Sequence, residues 1–203
     1  MKKVLLLALF LLCVWKCYVA YTLRPVRLGE GPKAPKPPVQ KNCPRATPSM
    51  NLKGFTLSPL AEYDITAKIL SKKRYYRGDA AKLSPIDFAL GWGLMSDEKH
   101  INRLKIKQNV RYYFWKTKDP RHLAPITISS NSANCHLIPA TSEIRRQLLK
   151  VRIGSVVHLT GKLVQVNKAN WIWKSSTSRD DTGNGACEII LVEEIRTILP
   201  KDP

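Results

Sequence analysis

Apolar and polar positions alternate most clearly near the end of the chain, between residues 151 and 195. β-Branched residues dominate Ser155–Val166, and the imperfect alternation of this run predicts a bent strand. Gly161 lies in its middle, where a missing side chain is typical of a bulge or tight bend. Ala186–Ile195 predicts a second strand. The two are separated by Trp171–Trp173 and by SSTSRDDTGNG, a run of turn-forming residues.

Earlier parts of the chain predict more strands and three helices. Alternating or aromatic runs predict strands at Leu60–Leu70, Val110–Trp115 and Ser132–Ile138, with Ile126–Ser129 as a further candidate. Capping residues predict helices over Ser84–Leu90, Ser96–Leu104 and Thr141–Leu149. This order predicts a mainly β fold with short helices (α+β), namely an OB-like Greek-key barrel with a helical insertion.

The first residues carry the layout of a membrane or export segment. Lys2 and Lys3 precede the unbroken apolar run Val4–Trp15, and Lys16 then interrupts it. This layout predicts a signal anchor, a transmembrane helix over residues 1–21, with a cleaved secretory signal as the alternative. Half of the chain's 14 prolines follow within Thr22–Pro48. We therefore expect a Pro-rich tether over residues 22–50, extended as a spacer, and an OB-like domain over residues 51–198.

Charges on the two sides of the apolar run give opposing indications of orientation. The two lysines at the start favour a cytoplasmic N-terminus, whereas four basic residues after the run favour the reverse. The short basic start is typical of an export signal. We therefore expect a single-pass protein of the bacterial inner membrane whose domain lies outside the cytoplasm.

The chain is strongly basic, with 34 Lys and Arg against 15 Asp and Glu, a net charge of +19. After Met50 it still has 25 basic and 14 acidic residues. A basic domain favours an anionic partner, either an anionic polymer or another envelope protein. Nucleic acid is expected only if the domain faces the cytoplasm. Solvated lysines without a partner are the alternative explanation.

Candidate ligand-binding residues are Arg179, Asp180, Asp181, His136, Trp92 and Trp173. The arginine could hold a phosphate, and the two carboxylates beside it could divide the acid and base roles. This suggests a phosphoester hydrolase as one alternative. The same DDTGNG run is also typical of an ordinary turn, and the histidine and tryptophans could simply fill the core. No catalytic residue is assigned. The sequence lacks a CxxC or HxxxH pair, so neither a metal nor a cofactor is expected.

Two of the five cysteines are candidates for a disulfide. Cys135 and Cys187 both fall in predicted strands of the domain. A bond between them is expected to be possible in an oxidising compartment outside the cytoplasm. Two separate thiols are the alternative.

Three segments carry a resemblance to other proteins: FALGWGLMSD (Phe88–Asp97), SNSANCHLIPA (Ser130–Ala140) and SSTSRDDTGNGACE (Ser175–Glu188). They resemble segments of bacterial membrane-anchored proteins over most of residues 55–195, and the resemblance implies no activity, cofactor or substrate. The functional expectation is therefore a membrane-anchored, non-catalytic binding or structural module of the bacterial envelope. The alternatives are the hydrolase, a cytoplasm-facing nucleic-acid-binding module, and a subunit that offers a strand edge to a partner.

Overall fold

A computed structural model of the chain describes residues 2–44, 46–117, 119, 121–178 and 187–198. Its helices are α1 (Lys2–Leu23), α2 (Asp79–Leu83), α3 (Glu98–Ile101), α4 (Pro125–Ser130) and α5 (Ser142–Lys150), with a 3-10 turn at Gly93–Ser96. Its strands are β1 (Val39–Asn42), β2 (Met50–Leu52), β3 (Phe55–Arg74), β4 (Ile86–Gly91), β5 (Leu104–Asn109), β6 (Tyr112–Thr117), β7 (Ser132–Pro139), β8 (Val156–Lys168), β9 (Trp171–Lys174) and β10 (Glu188–Ile198). The fold is mainly β, as predicted.

Five strands pair into a ring in the order β3, β4, β7, β10, β8, and β8 pairs again with β3. All of these pairs are antiparallel except β7 with β10, which is parallel. The 20-residue β3 closes the ring because one part of it pairs with β8 and the other with β4. Register shifts interrupt three of the pairings, so the ring is irregular rather than a clean barrel.

Gly161 is required at one of these irregularities. It faces the register shift between Val192 and Glu194 of β10. A Cβ atom at residue 161 would lie 1.9 Å from the carbonyl oxygen of Leu191. The close approach of the two backbones therefore needs glycine, as the sequence predicted for this position.

The interior of the ring is an apolar core built from alternate positions of its strands. Along β3 the inward residues are those that the alternation predicted: Ala61, Tyr63, Ile65, Ala67 and Ile69, none more than 2% exposed. The other strands add Phe88, Leu137, Leu159, Ile190 and Val192, and α5 contributes Ile144 and Leu148. Each fully buried aliphatic side chain contributes roughly 1.5–3 kcal/mol to folding.

The insertion between β4 and β7 differs from the helical insertion that was predicted. It is a β5–β6 hairpin with short helices on either side. The side chains on its inner face, Leu104, Ile106, Tyr113 and Trp115, pack on a second apolar cluster outside the ring. The hairpin therefore covers the outer face of β4 and β7.

Two predicted elements are wrong. The segment expected to be a helix from Ser84 forms the strand β4, and all six of its residues are buried. The candidate strand at Ile126–Ser129 lies in α4, which has proline in its first turn. The predicted cap at Thr141 is confirmed, because its side chain accepts a hydrogen bond from the N–H of Ile144. The cap expected at Ser96 is wrong, because Asp97 caps α3 by accepting a hydrogen bond from the N–H of Lys99.

The Pro-rich segment is extended and lies against the ring. The backbone N–H groups of Leu28 and Gly31 donate to the carboxylates of Glu98 and Asp97, at 2.8 and 2.9 Å. The composition of the Pro-rich segment predicted a spacer, without such contacts with the domain. Among the residues that the structure describes, no helix is both long and apolar enough to cross a membrane, so the transmembrane helix is unsupported.

Candidate binding site

A polar cluster lies on the outer face of β4 and β7, beneath the hairpin tip. Asp87 and His136 are paired in register on these strands and are 0% and 3% exposed. Asp87 Oδ2 lies 3.0 Å from His136 Nδ1, but neither atom forms a hydrogen bond with a described residue. The ring of Trp173 packs on the imidazole with centroids 4.8 Å apart. A substrate therefore has no access to His136 in this arrangement.

Arg111 inserts from the hairpin tip into this cluster. Its Nη1 donates to Asp87 Oδ1 at 2.7 Å, and its Nη2 donates to the carbonyl oxygen of Ser84 at 2.8 Å. The guanidinium lies 3.9 Å from the centroid of the Tyr75 ring and 5.5 Å from that of Trp173. A planar guanidinium suits such a site because it can donate in two directions while stacking on aromatic rings. Arg111 neutralises the buried carboxylate of Asp87 and fastens the hairpin to β4.

The turn of the hairpin is strained. Asn109 pairs with Tyr112, so Val110 and Arg111 form a two-residue loop. Their φ angles are +46° and +66°, the left-handed region that such loops normally fill with Asn-Gly. A β-branched valine is especially unfavourable there. The contacts of the Arg111 side chain compensate for this local cost.

A second attachment joins the hairpin to β7. Asn134 Nδ2 donates to the carbonyl oxygen of Arg111 at 2.9 Å, and Gln108 Nε2 donates to Asn134 Oδ1 at 2.7 Å. These bonds hold the tip from below while the apolar inner face anchors the body of the hairpin. The hairpin is therefore a fixed platform rather than a loose loop.

Burial and the neighbouring Asp87 carboxylate raise the pKa of Tyr75 to about 12. The hydroxyl oxygen of Tyr75 accepts a hydrogen bond from the backbone N–H of Arg111 at 3.1 Å. Tyr75 therefore stays neutral at physiological pH, and its uncharged ring remains a stacking surface for the guanidinium.

The outward side of the hairpin carries lysines and aromatic rings together. We call Lys105, Lys107, Tyr112, Phe114 and Lys116 the hairpin face; all five are exposed. Lys105 lies opposite Lys116, and Lys107 lies opposite Phe114. Phe114 is 53% exposed, and its ring centroid is 6.3 Å from that of Tyr112. Between Lys99 and Lys118 the sequence has seven basic residues and no acidic one.

The nearby end of β3 also carries basic and aromatic side chains. Tyr75 contacts the hairpin tip, and the next residue, Tyr76, is 78% exposed. The guanidinium of Arg74 lies 5.3 Å from the centroid of the Tyr76 ring. Basic and aromatic groups thus continue from the hairpin face along the end of β3.

The structure brings two of the candidate residues together and places a third elsewhere. His136 and Trp173 meet in the polar cluster, as described, whereas Trp92 is 4% exposed and packs in the ring interior. Arg179, Asp180 and Asp181 lie outside the described residues. Glu188 is paired with Cys135 on the inner side of the ring and His136 points outward. Glu188 and His136 therefore face opposite sides of the sheet. The hydrolase alternative, in which the Arg179–Asp181 run converges with one or the other of them, stays a prediction.

Cys135 and Cys187, the pair expected for a disulfide, make separate contacts. The Cys135 thiol points inward, 3.9 Å from Glu188 Oε2. The Cys187 sulfur lies 3.6 Å from Nδ2 of Asn134, the residue before Cys135 in β7. Because successive side chains of a strand point to opposite faces, the two thiols lie on opposite sides of the sheet.

Sequence reasoning missed Arg111, Asp87 and the hairpin face. The signal for the hairpin was present, because apolar and basic residues alternate through Leu104–Lys107 and aromatic residues follow Arg111.

Within the described ranges, no three His, Cys, Asp or Glu side chains cluster so as to hold a metal ion. The chain matches no protein-family model, and comparison with curated proteins and with solved structures also finds no match.

Proposed function

We propose that this protein is a non-catalytic binding module, attached to the bacterial inner membrane, whose basic OB-like domain binds an anionic polymer. The single observation that carries the proposal is the hairpin face, where exposed lysines lie among aromatic rings and none forms an ion pair with a described acidic residue. Surplus positive charge on a rigid platform attracts polyanions and raises their rate of association.

The strand order supports the OB-like architecture. In the ring, the first strand β3 pairs with both the second and the fourth, and the helix α5 precedes the fourth strand, β8. The third and fifth strands, β7 and β10, are parallel. This order is compatible with a five-stranded Greek-key barrel of the OB type, in which one face and the adjoining loops bind extended polymers. In this chain the hairpin covers the outer face of the second and third strands.

The N-terminal helix supports attachment to a membrane. Its large apolar side chains are exposed on all sides of the helix: Leu5, Leu6, Leu7, Leu9, Phe10, Leu11, Leu12, Val14 and Trp15. An apolar surface of this kind requires a cover. Lipid is the cover that we propose, with the domain outside the cytoplasm as the basic, export-like N-terminus predicts.

A second candidate function reverses this orientation. Phe114 and Tyr112 expose aromatic rings among lysines, a combination typical of nucleic-acid-binding surfaces. This favours a cytoplasm-facing nucleic-acid-binding module. An exposed position such as Asn42 can distinguish the two orientations. If the domain is outside, the Asn42→Cys variant is labelled on intact cells by an impermeant maleimide, above the wild-type level; labelling only after lysis places it inside.

The proposed binding is tested with the full chain in lipid nanodiscs. Fluorescent polyphosphate is titrated at several salt concentrations, with neutral dextran as the control. We expect binding that weakens linearly with the logarithm of salt concentration, because each phosphate contact releases counterions. If neither polyphosphate, an acidic polysaccharide nor an oligonucleotide binds at low salt, the proposed function is wrong.

A further inference from the structure

We infer that the hairpin face is a binding site for single-stranded nucleic acid, with bases stacked on Phe114 and Tyr112 and phosphates held by the flanking lysines. The inference rests on the second candidate function, the cytoplasm-facing nucleic-acid-binding module. It assigns a ligand class and a surface to a function that is otherwise defined only by charge.

The spacing of the two rings suits a strand of unstacked bases. Tyr112 and Phe114 are two residues apart on β6, so both rings project from the same side. Their centroids are 6.3 Å apart, and the planes are inclined at 49°. Each ring therefore offers its own platform rather than being covered by the other. Stacking of a base on an exposed aromatic side chain does not depend on sequence, because every base has a π-face.

No acidic residue that the structure describes compensates the charges on the hairpin face. Lys105 and Lys116 stand directly opposite one another, an arrangement that destabilises a β-ladder. None of the three lysines of this face forms an ion pair with a described residue. The phosphates of a bound ligand would relieve the repulsion between these lysines, and the lysines would hold the phosphates.

The aromatic rings discriminate between classes of polyanion. Polyphosphate supplies negative charge but no planar ring, so Phe114 would gain nothing from it. A duplex presents phosphates but keeps its bases stacked inside the helix. Of these three polyanions, only the single strand can satisfy the lysines and the rings together.

The platform is already formed before a ligand arrives. Arg111 fastens the hairpin tip to Asp87, while Asn134 holds its backbone. A rigid site loses little conformational entropy on binding, which favours affinity. Arg74 and Tyr76 extend the surface beyond the tip, where a longer strand would find another ring with a cation beside it.

The test compares ligands and variants on the full chain in nanodiscs, by fluorescence anisotropy. The probe is a single-stranded oligonucleotide of about 15 deoxythymidines, within the site sizes known for such surfaces. A duplex of the same length and polyphosphate are the competitors. The variants are Phe114→Ala for stacking and Lys107→Gln for charge. Ile172→Ala and Lys174→Gln, exposed positions of β9, are the matched controls.

We expect the wild-type chain to prefer the single strand over the duplex. Phe114→Ala should weaken single-strand binding about tenfold and leave polyphosphate binding unchanged, because only the stacking energy is lost. Lys107→Gln should weaken the binding of both ligands and reduce the salt slope by about one. The two β9 variants should bind as the wild-type chain does.

Other outcomes separate this inference from the proposed function. If all polyanions bind equally and Phe114→Ala has no effect, the single-strand inference is wrong while polyanion binding stands. Tighter binding of the duplex also overturns the inference. If no polyanion binds, both proposals fail. Circular dichroism melting of each variant establishes that a loss of binding is not a loss of fold.

Discussion

The two faces of the β5–β6 hairpin place aromatic residues in opposite roles. On the inner face, Trp115 and Tyr113 pack on the outer side of the ring. On the outer face, Phe114 lies between them in sequence and is 53% exposed. The comparison shows how a strand assigns residues of the same chemistry either to stability or to a surface available for binding, through alternation alone.

Charged side chains also differ between the buried and the exposed parts of the molecule. Arg111 at the tip is bound to Asp87, and a buried Lys68 is bound to Glu98 at 2.9 Å. In both pairs, a charge removed from water has a partner. The lysines of the hairpin face have none among the described residues. Their repulsion reduces stability, so the stability of the fold does not explain their presence, whereas the proposed ligand would.

Removing Arg111 should have the largest effect on stability. Arg111→Ala leaves the carboxylate of Asp87 buried without its cation, which costs about 3–5 kcal/mol. Urea unfolding followed by tryptophan fluorescence measures this loss. The Asp87→Asn/Arg111→Ala double variant should be more stable than the single variant, because no buried charge remains. Equal unfolding midpoints for Arg111→Ala and the wild-type chain would show that the ion pair does not hold the hairpin.

A direct comparison of the two faces uses neighbouring positions. Trp115→Ala removes a packed ring and should lower the free energy of unfolding by about 2 kcal/mol, since Trp115 is only partly buried. Phe114→Ala should change it by less than about 0.5 kcal/mol. Binding of the single strand should follow the reverse order, with Phe114→Ala the more damaging in a folded chain. A large loss of stability in Phe114→Ala would contradict the assignment of the faces.

Alkaline pH should weaken the attachment of the hairpin. Burial raises the pKa of Tyr113 to about 12 from 10.0, and burial with the Asp87 charge does the same for Tyr75. A raised pKa means that the folded chain binds these protons more tightly than the unfolded chain. The stability they contribute is therefore complete below pH 10 and is lost as pH rises from 10 to 12.

Unfolding in urea at pH 9 and pH 11 measures this loss, with Tyr113→Phe as the test variant. We expect the loss of stability between the two pH values to be on the order of 1 kcal/mol smaller in Tyr113→Phe than in the wild-type chain. Tyr112→Phe, on the exposed face, is the matched control. An equal loss of stability in the wild-type and Tyr113→Phe chains would show that ionisation of Tyr113 does not weaken the fold.

How much of this could be predicted depends on whether the signal was local. The helix α5 and the strand β8 were predicted from a cap at Thr141 and from a β-branched run, both of which act within a few residues. The strand β4 was mistaken for a helix because Ser84-Pro85 is typical of a helix start. Pairing with β3 and β7, distant in sequence, makes it a strand.

The candidate site was harder still. Arg111 and Asp87 are 24 residues apart, and no local pattern connects them. The turn at Val110 lacks the Asn-Gly signal of a two-residue hairpin, because a tertiary contact rather than local propensity holds its conformation. The mainly β fold agrees with the prediction, whereas the hairpin face became visible only once the register of β5 and β6 was known.

One further small change in stability is expected to have the opposite sign, a gain. Lys116→Glu replaces the repulsion with Lys105 by an attraction across the ladder, which should stabilise the chain by about 0.2–1 kcal/mol. The same substitution should weaken binding of a single strand, because it removes a cation and adds an anion on the hairpin face. Lys174→Glu on β9 is the control for the change in net charge and should leave binding nearly unaltered. A more stable chain that binds less would show that the opposed lysines serve a ligand. Unchanged binding together with increased stability would show that they do not.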